Sequence, residues 1–185
     1  MKIKNKLESI QKIKELKLNQ FEEELFHEGE EVRIQEFLDR YPYQYYAVRS
    51  KSKVGHIKSK INVPKEEVIE FSKNFDIFSI NVSSSNFLNH LLLNGDIMIS
   101  SNGDVWMIAY KNEDYSGRED ENLPDFNLKT DLFDKILNEI PGFDILYKYI
   151  VEHGLLDVIL ECAVYDIPLG IYHDQVVLFE IRTDF

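Results

Sequence analysis

A chain of 185 residues with 44% hydrophobic content is long enough for one sizeable core or two small lobes, and too apolar to be disordered. Its formal net charge of −12 argues against general nucleic-acid binding, which draws its affinity from neutralising phosphates. The single cysteine, Cys162, rules out an internal disulfide and any Cys/His zinc spacing, and neither a membrane-spanning apolar run nor a signal-peptide pattern is present, so a cytoplasmic location is expected.

The charge is unevenly spread. Residues 1–60 carry 13 Lys+Arg against 10 Asp+Glu, whereas residues 61–185 carry 8 against 23. A mildly basic first part beside a strongly acidic second part could clamp a metal-complexed polyphosphate; acidic surface also serves solubility alone.

In chain order, Leu7, Ile10, Ile13 and Leu16 recur at helical spacing and predict an amphipathic helix over Leu7–Lys17, with Lys12, Lys14 and Lys17 as candidate phosphate contacts. Glu30–Arg40 returns to a helical pattern with Val32, Ile34, Phe37 and Leu38 inward, and Pro42 stops it. Tyr43–Arg49 reads as a strand with Tyr45, Ala47 and Arg49 on one face and Tyr46 and Val48 on the other. It runs into the small-residue, basic loop Ser50–His56, where backbone N–H groups and the Arg49 fork could hold phosphate oxygens without the spacing of a P-loop.

Ile57–Val63 is a possible strand, Pro64 opens a helix reaching about Asn74, and Phe75–Val82 alternates as a strand. Ser83–Ser85 turns into Phe87–Leu93, and Asn94-Gly95-Asp96 precedes a strand over Ile97–Ser100. Asn102-Gly103 then predicts a tight hairpin into Val105–Ala109. Between Lys111 and Lys129 charged and turn-forming residues predict a long loop, with Arg118 as a ligand contact if it folds over a site. Asp131 is placed to cap a helix presenting Leu132, Phe133, Ile136, Leu137 and Ile140, and a further helix is expected over Phe143–His153.

The last thirty residues are the most informative. Asp157–Tyr165 and Gln175–Arg182 are β-branched and apolar nearly throughout, with Pro168 and Gly170 between them, and predict an antiparallel hairpin. Each strand carries one interior carboxylate, Glu161 and Glu180. Closure about residues 170 and 171 sets Glu161 opposite Glu180, Ala163 opposite Leu178 and Tyr165 opposite Val176. Opposed carboxylates repel unless a cation or a shared proton lies between them, and an oxygen-only set near phosphate suits Mg²⁺. The other reading is that either acid faces solvent or pairs with Arg182, which shares the face of Glu180. The histidines His27, His56, His90, His153 and His173 have no metal-ligand spacing, and Cys162, inside an apolar strand, reads as a buried inert thiol.

Tyr46–Ser50 resembles the Val-Arg-Ser strand of the ATP-binding domains of phosphoenolpyruvate synthase and pyruvate phosphate dikinase, a branch of the ATP-grasp fold, and the C-terminal hairpin is similar to the one that ends ATP-grasp domains. The resemblance implies an α+β, two-lobed architecture with mainly antiparallel sheets, a first lobe at about residues 1–110 and a second at about 111–185. It implies that Arg49 contacts ATP phosphates, that Glu161 and Glu180 bind Mg²⁺, and that Arg182 contacts phosphate or substrate. Arg49 and Arg182 are then the candidate catalytic residues, and Arg49, Lys51, Lys53, Gly55 and Arg118 the candidate nucleotide contacts. Departures from the pattern are Lys51 in place of the family's second Ser and a glycine-rich loop reduced to Gly55.

The function expected is Mg-ATP binding between the lobes, with phosphotransferase or ligase activity on an unidentified small-molecule or protein acceptor. The alternative is a non-catalytic interaction module of immunity, antitoxin or phage-inhibitor type, for which an acidic compact surface is also suited. No membrane partner is expected, and the oligomeric state is open.

Overall fold

The structure, a computed structural model, describes residue 3 and residues 6–50, 59–111 and 124–183. The candidates Lys51, Lys53, Gly55 and Arg118 lie outside the described residues. The first part of the chain forms α1 (Lys6–Glu15), β1 (Glu23–His27), α2 (Glu31–Arg40), β2 (Tyr45–Ser50) and β3 (Ser59–Pro64). Then come α3 (Val68–Ser72), β4 (Ile77–Val82), β5 (Leu91–Ile99), β6 (Asp104–Tyr110) and β7 (Phe126–Asp131). α4 (Phe143–Glu152), β8 (Ile159–Leu169) and β9 (Asp174–Arg182) follow. The architecture is α+β with two antiparallel sheets. No helix among the described residues is long and apolar enough to cross a membrane.

Packing divides the chain into one unit of Met1–Gln20 with Leu88–Phe185 and another of Phe21–Phe87. The boundary read from sequence, a first lobe at about 1–110, instead groups residues 1–20 and 88–110 with Phe21–Phe87.

The Phe21–Phe87 unit is a four-stranded sheet in the order β1-β4-β2-β3. Alternation along β4 sends Phe78, Ile80 and Val82 to one face, where they meet Phe26 of β1 and Tyr46 and Val48 of β2, all 0–1% exposed. α2 covers that face with Ile34, Phe37 and Leu38, and Phe26 packs edge-on to Phe37 at 5.9 Å. Val32, expected inward, is 75% exposed, because it stands two residues before Ile34 and so on the opposite side of α2 from the buried stripe Ile34, Phe37 and Leu38. The helix expected from Pro64 is a 3-10 turn over Lys65–Glu67 continued by the short α3.

The other unit is a five-stranded sheet in the order β7-β6-β5-β8-β9. One face carries Leu93, Ile97, Val105, Met107, Leu160, Val164, Val176, Leu178 and Ile181, packed with Ile13 of α1 and Leu146 and Ile150 of α4. Each fully buried aliphatic side chain here contributes roughly 1.5–3 kcal/mol. The expected hairpin at Asn102-Gly103 is present between β5 and β6, with Gly103 at φ +90. The helix cap expected at Asp131 is supplied by Asp134, whose side chain accepts from Ile136 N at the start of a 3-10 helix over Lys135–Glu139. Asp131 closes β7 and turns the chain by accepting from Phe133 N at 2.8 Å, which leaves Phe133 90% exposed.

Asn19 ties the end of the β8–β9 hairpin to the chain that follows α1. Its Nδ2 donates to Leu169 O and Val176 O, each at 2.9 Å, and its Oδ1 accepts from Tyr172 N at 3.0 Å. Its own backbone N–H donates to the Tyr149 hydroxyl at 3.0 Å, so α4 joins the same junction. Burial raises the Tyr149 pKa to about 12, which keeps the phenol neutral.

Asn94-Gly95-Asp96, expected to precede a strand, lies inside β5. The glycine is there for close approach rather than for a turn: a Cβ at Gly95 would stand 2.2 Å from Ile108 O and 2.6 Å from Ala109 Cα on β6. Gly95→Ala is therefore expected to destabilise the protein by about 2 kcal/mol through overpacking against backbone, measured as a lower urea midpoint with unchanged slope.

Candidate functional site

The face of the five-stranded sheet opposite its core carries a row of acids across three neighbouring strands. Asp96 of β5 is the register partner of Glu161 of β8, and Glu161 is the partner of Glu180 of β9. The expected facing of Glu161 and Glu180 is present. The flanking pairs are not Ala163 with Leu178 and Tyr165 with Val176; they are Cys162 with Leu178, Ala163 with Val177 and Val164 with Val176.

The reason is a β-bulge. Between the Glu161–Glu180 and Cys162–Leu178 pairs the second strand carries one extra residue, Phe179. That residue resets the parity of β9, so Val176, Leu178 and Ile181 all reach the core while Glu180 and Arg182 stay on the face of Glu161.

Arg182 is the cation of the row. Its Nη2 lies 2.5 Å from Asp96 Oδ1, with the Asp96 side chain 11% and the Arg182 side chain 35% exposed. Burial alone would lower the guanidinium pKa. The hydrogen bond to Asp96 and the charges of Asp96, Glu180 and Glu161 outweigh it, and the pKa is raised. All three carboxylates thus act on one guanidinium. The Arg182 Nε is buried and has no acceptor among the described residues.

Among the described residues no group of three His, Cys, Asp or Glu side chains converges as a metal cage. The set does fit a hard cation that brings its own oxygen ligands. Glu161 and Glu180 are half-buried, directly opposed and offer only oxygen, and Asp96 beside them is bonded to Arg182. Mg²⁺ binds through one or two carboxylates plus substrate phosphates and water, and a site without imidazole or thiolate is poorly matched to zinc. Cys162, which neighbours Glu161, points to the core at 1% exposure, and burial, followed by the charges of Asp96 and Glu161, pushes its thiol pKa up. It is an inert thiol, as the sequence indicates.

The remaining candidates are placed as follows. Arg49 lies on β2 in the Phe21–Phe87 unit, half-buried and in register with Ser79 of β4. Lys12 of α1 is engaged by Glu15 at 3.4 Å. Asp96 is the residue that sequence reasoning missed. Its signal was the unbroken parity of Leu93, Gly95, Ile97 and Ile99 across the supposed break, which leaves Asp96 as the one charge on the opposite face of a single long strand.

No protein-family model matches this sequence, and no curated protein sequence matches it. Solved structures do. The fold is similar to that of macrocyclase MdnC bound with precursor peptide MdnA from Microcystis aeruginosa MRC, with a TM-score of 0.51 and 14% identity over 98% of this chain and 53% of that one. D-Alanine-D-alanine ligase from Helicobacter pylori aligns with a TM-score of 0.45 and 14% identity, over 97% of this chain and 53% of that one. D-Alanyl-alanine synthetase A from Vibrio cholerae aligns with a TM-score of 0.43 and 11% identity, over 97% of this chain and 55% of that one. The chain spans about half the length of each of these structures. The likeness to the macrocyclase shows the fold, an ATP-grasp-like α+β architecture. The finer likeness of Tyr46–Ser50 to the synthase and dikinase branch rests on those residues alone.

Proposed function

We propose that this chain binds a magnesium–nucleotide complex and belongs to an ATP-dependent ligase or phosphotransferase of ATP-grasp type. The observation that carries the reading is the cross-strand row Asp96–Glu161–Glu180 with Arg182 as its cation. Opposed acids on a folded sheet are destabilising in isolation, so a row of three held against one guanidinium is suited to receive further positive charge. The ATP-grasp-like fold supports ATP as its carrier.

In this proposal Glu161 and Glu180 hold the cation, which when bound would neutralise charge on the transferred phosphoryl oxygens. Asp96 fixes the orientation of Arg182 through Nη2, and the remaining N–H groups of the guanidinium would serve a phosphate or substrate oxygen. The residues of the chain would thus position and stabilise, and the acceptor, a carboxylate or another nucleophile, would come from the substrate.

The test is a thermal-shift titration of the protein with ATP, with and without Mg²⁺. At a ligand concentration of about 100 times Kd, binding to the native state adds ~2.7 kcal/mol. For a chain of this size that is a rise of roughly 5–10 °C. The proposal expects the rise only when both ligands are present; no shift at millimolar ATP and Mg²⁺ contradicts it.

A further inference from the structure

β9 is the outermost strand of its sheet, so the backbone groups along its outer side have no described strand to pair with. The chain before, within and after α1 supplies partners instead. Asn19 Nδ2 donates to Val176 O at 2.9 Å, and Leu178 N donates to Asn19 O at 2.9 Å. Ile181 N donates to the Ser9 hydroxyl at 2.7 Å, and Thr183 Oγ1 accepts from Ile3 N at 2.8 Å. The outward N–H groups of Leu178 and Ile181 are thus three residues apart, where a regular strand would space them by two, and the extra residue is the bulge at Phe179. Asn19 and Ser9 bracket that bulge from either side.

Beyond the bulge the strand is short and its first pair is repulsive. Glu180, Ile181 and Arg182 are the residues still in register with β8, and Glu180 stands directly against Glu161. Like charges so placed push the two strands apart. Packing of the Ile181 side chain into the core decides which face Glu180 and Arg182 take, but not how closely the strand end is held. The Ser9 hydroxyl acts at that point, because it grips the peptide N–H between the two functional side chains. Ser9 is 0% exposed and sits inside α1, where alanine would be the better helix former. Its hydroxyl is therefore accounted for by the strand it holds rather than by the helix it belongs to.

We infer that Ser9 is a positioning residue for the metal and arginine pair: its hydroxyl holds the Glu180–Ile181 peptide so that Glu180 faces Glu161, and Arg182 reaches Asp96, at a fixed separation. The inference rests on the magnesium–nucleotide reading above.

Calorimetric titration of the full chain with ATP in Mg²⁺ and in EDTA, well below every melting temperature, gives the Mg²⁺-dependent gain in affinity for each variant. Ser9→Ala is expected to cut that gain about tenfold, ~1.4 kcal/mol, and to leave affinity in EDTA unchanged. Ser9→Thr, which keeps the hydroxyl, is expected to retain the gain. Ile34→Val, which removes a buried methyl group from the Phe21–Phe87 unit, is expected to lower the melting temperature and retain the gain too. Thr183→Val, which removes the neighbouring anchor on Ile3, carries the same expectation as Ser9→Ala should that variant not fold. A full gain in Ser9→Ala with a lower melting temperature assigns the hydroxyl to the fold and overturns the inference, as does an equal loss in Ile34→Val. A wild-type protein with no Mg²⁺-dependent gain contradicts the magnesium reading itself, and this inference with it.

Discussion

Arg182→Met is expected to lower stability by about 3 kcal/mol at neutral pH and by much less near pH 4. The guanidinium lies 2.5 Å from Asp96 Oδ1, and the charges of Glu180 and Glu161 act on it as well. Without it, the three carboxylates, on adjacent strands whose facing residues lie about 5 Å apart, lose the one guanidinium on which all of them act. One pair of like charges at that distance is worth ~3 kcal/mol at an effective dielectric of 20, and solvent at the half-exposed glutamates reduces the sum over the row. The pH dependence follows from the sign of the repulsion. In the variant the folded protein holds the carboxyl protons more tightly than the unfolded chain, whose carboxyl pKa values are about 4. The deficit is therefore fully present above the raised folded-state values and shrinks as pH falls through them. Urea denaturation of wild type and variant at both pH values measures it. An equal loss at the two pH values would assign Arg182 to packing and remove its electrostatic role.

Glu161→Gln and Glu180→Gln are expected to do the opposite: to change the unliganded protein little and the liganded one greatly. Each keeps the shape of the side chain and removes one of two opposed charges, so the apo variants should stay within about 1 kcal/mol of wild type. If the pair holds the cation of a magnesium–nucleotide complex, each substitution weakens ATP in the presence of Mg²⁺ about a hundredfold, ~2.7 kcal/mol. Affinity for ATP in EDTA should be the same in variants and wild type. Calorimetry in the two buffers separates these terms, and a Mg²⁺-dependent affinity that survives both substitutions contradicts the assignment.

The terminal hairpin and the facing of Glu161 and Glu180 were legible because β-branched runs with a single interior acid each leave few registers open. The bulge at Phe179 was not, since Val176–Phe179 is a continuous apolar run in which alternation says nothing about where an extra residue sits. Asn94-Gly95-Asp96 carries the residues of a turn, and only the approach of β6 backbone to Gly95 explains why they lie in a strand. That approach is a tertiary fact, and with it Asp96 was hidden. The alternation of β2 and of β4 was readable, since each strand sends every second side chain to the buried face. The allegiance of residues 88–110 was equally illegible, since it depends on β5 pairing with β8 some seventy residues later.

The most direct measurement is a titration of Mn²⁺, a spectroscopic stand-in for Mg²⁺, into the protein with a non-hydrolysable ATP analogue, followed by electron paramagnetic resonance. The account predicts Mn²⁺ immobilised on the wild-type complex more tightly than on the free analogue, and loss of that binding in the Glu161→Gln, Glu180→Gln double variant at unchanged fold. Mn²⁺ held equally by the double variant, or no tighter by the wild-type complex than by the free analogue, would contradict it.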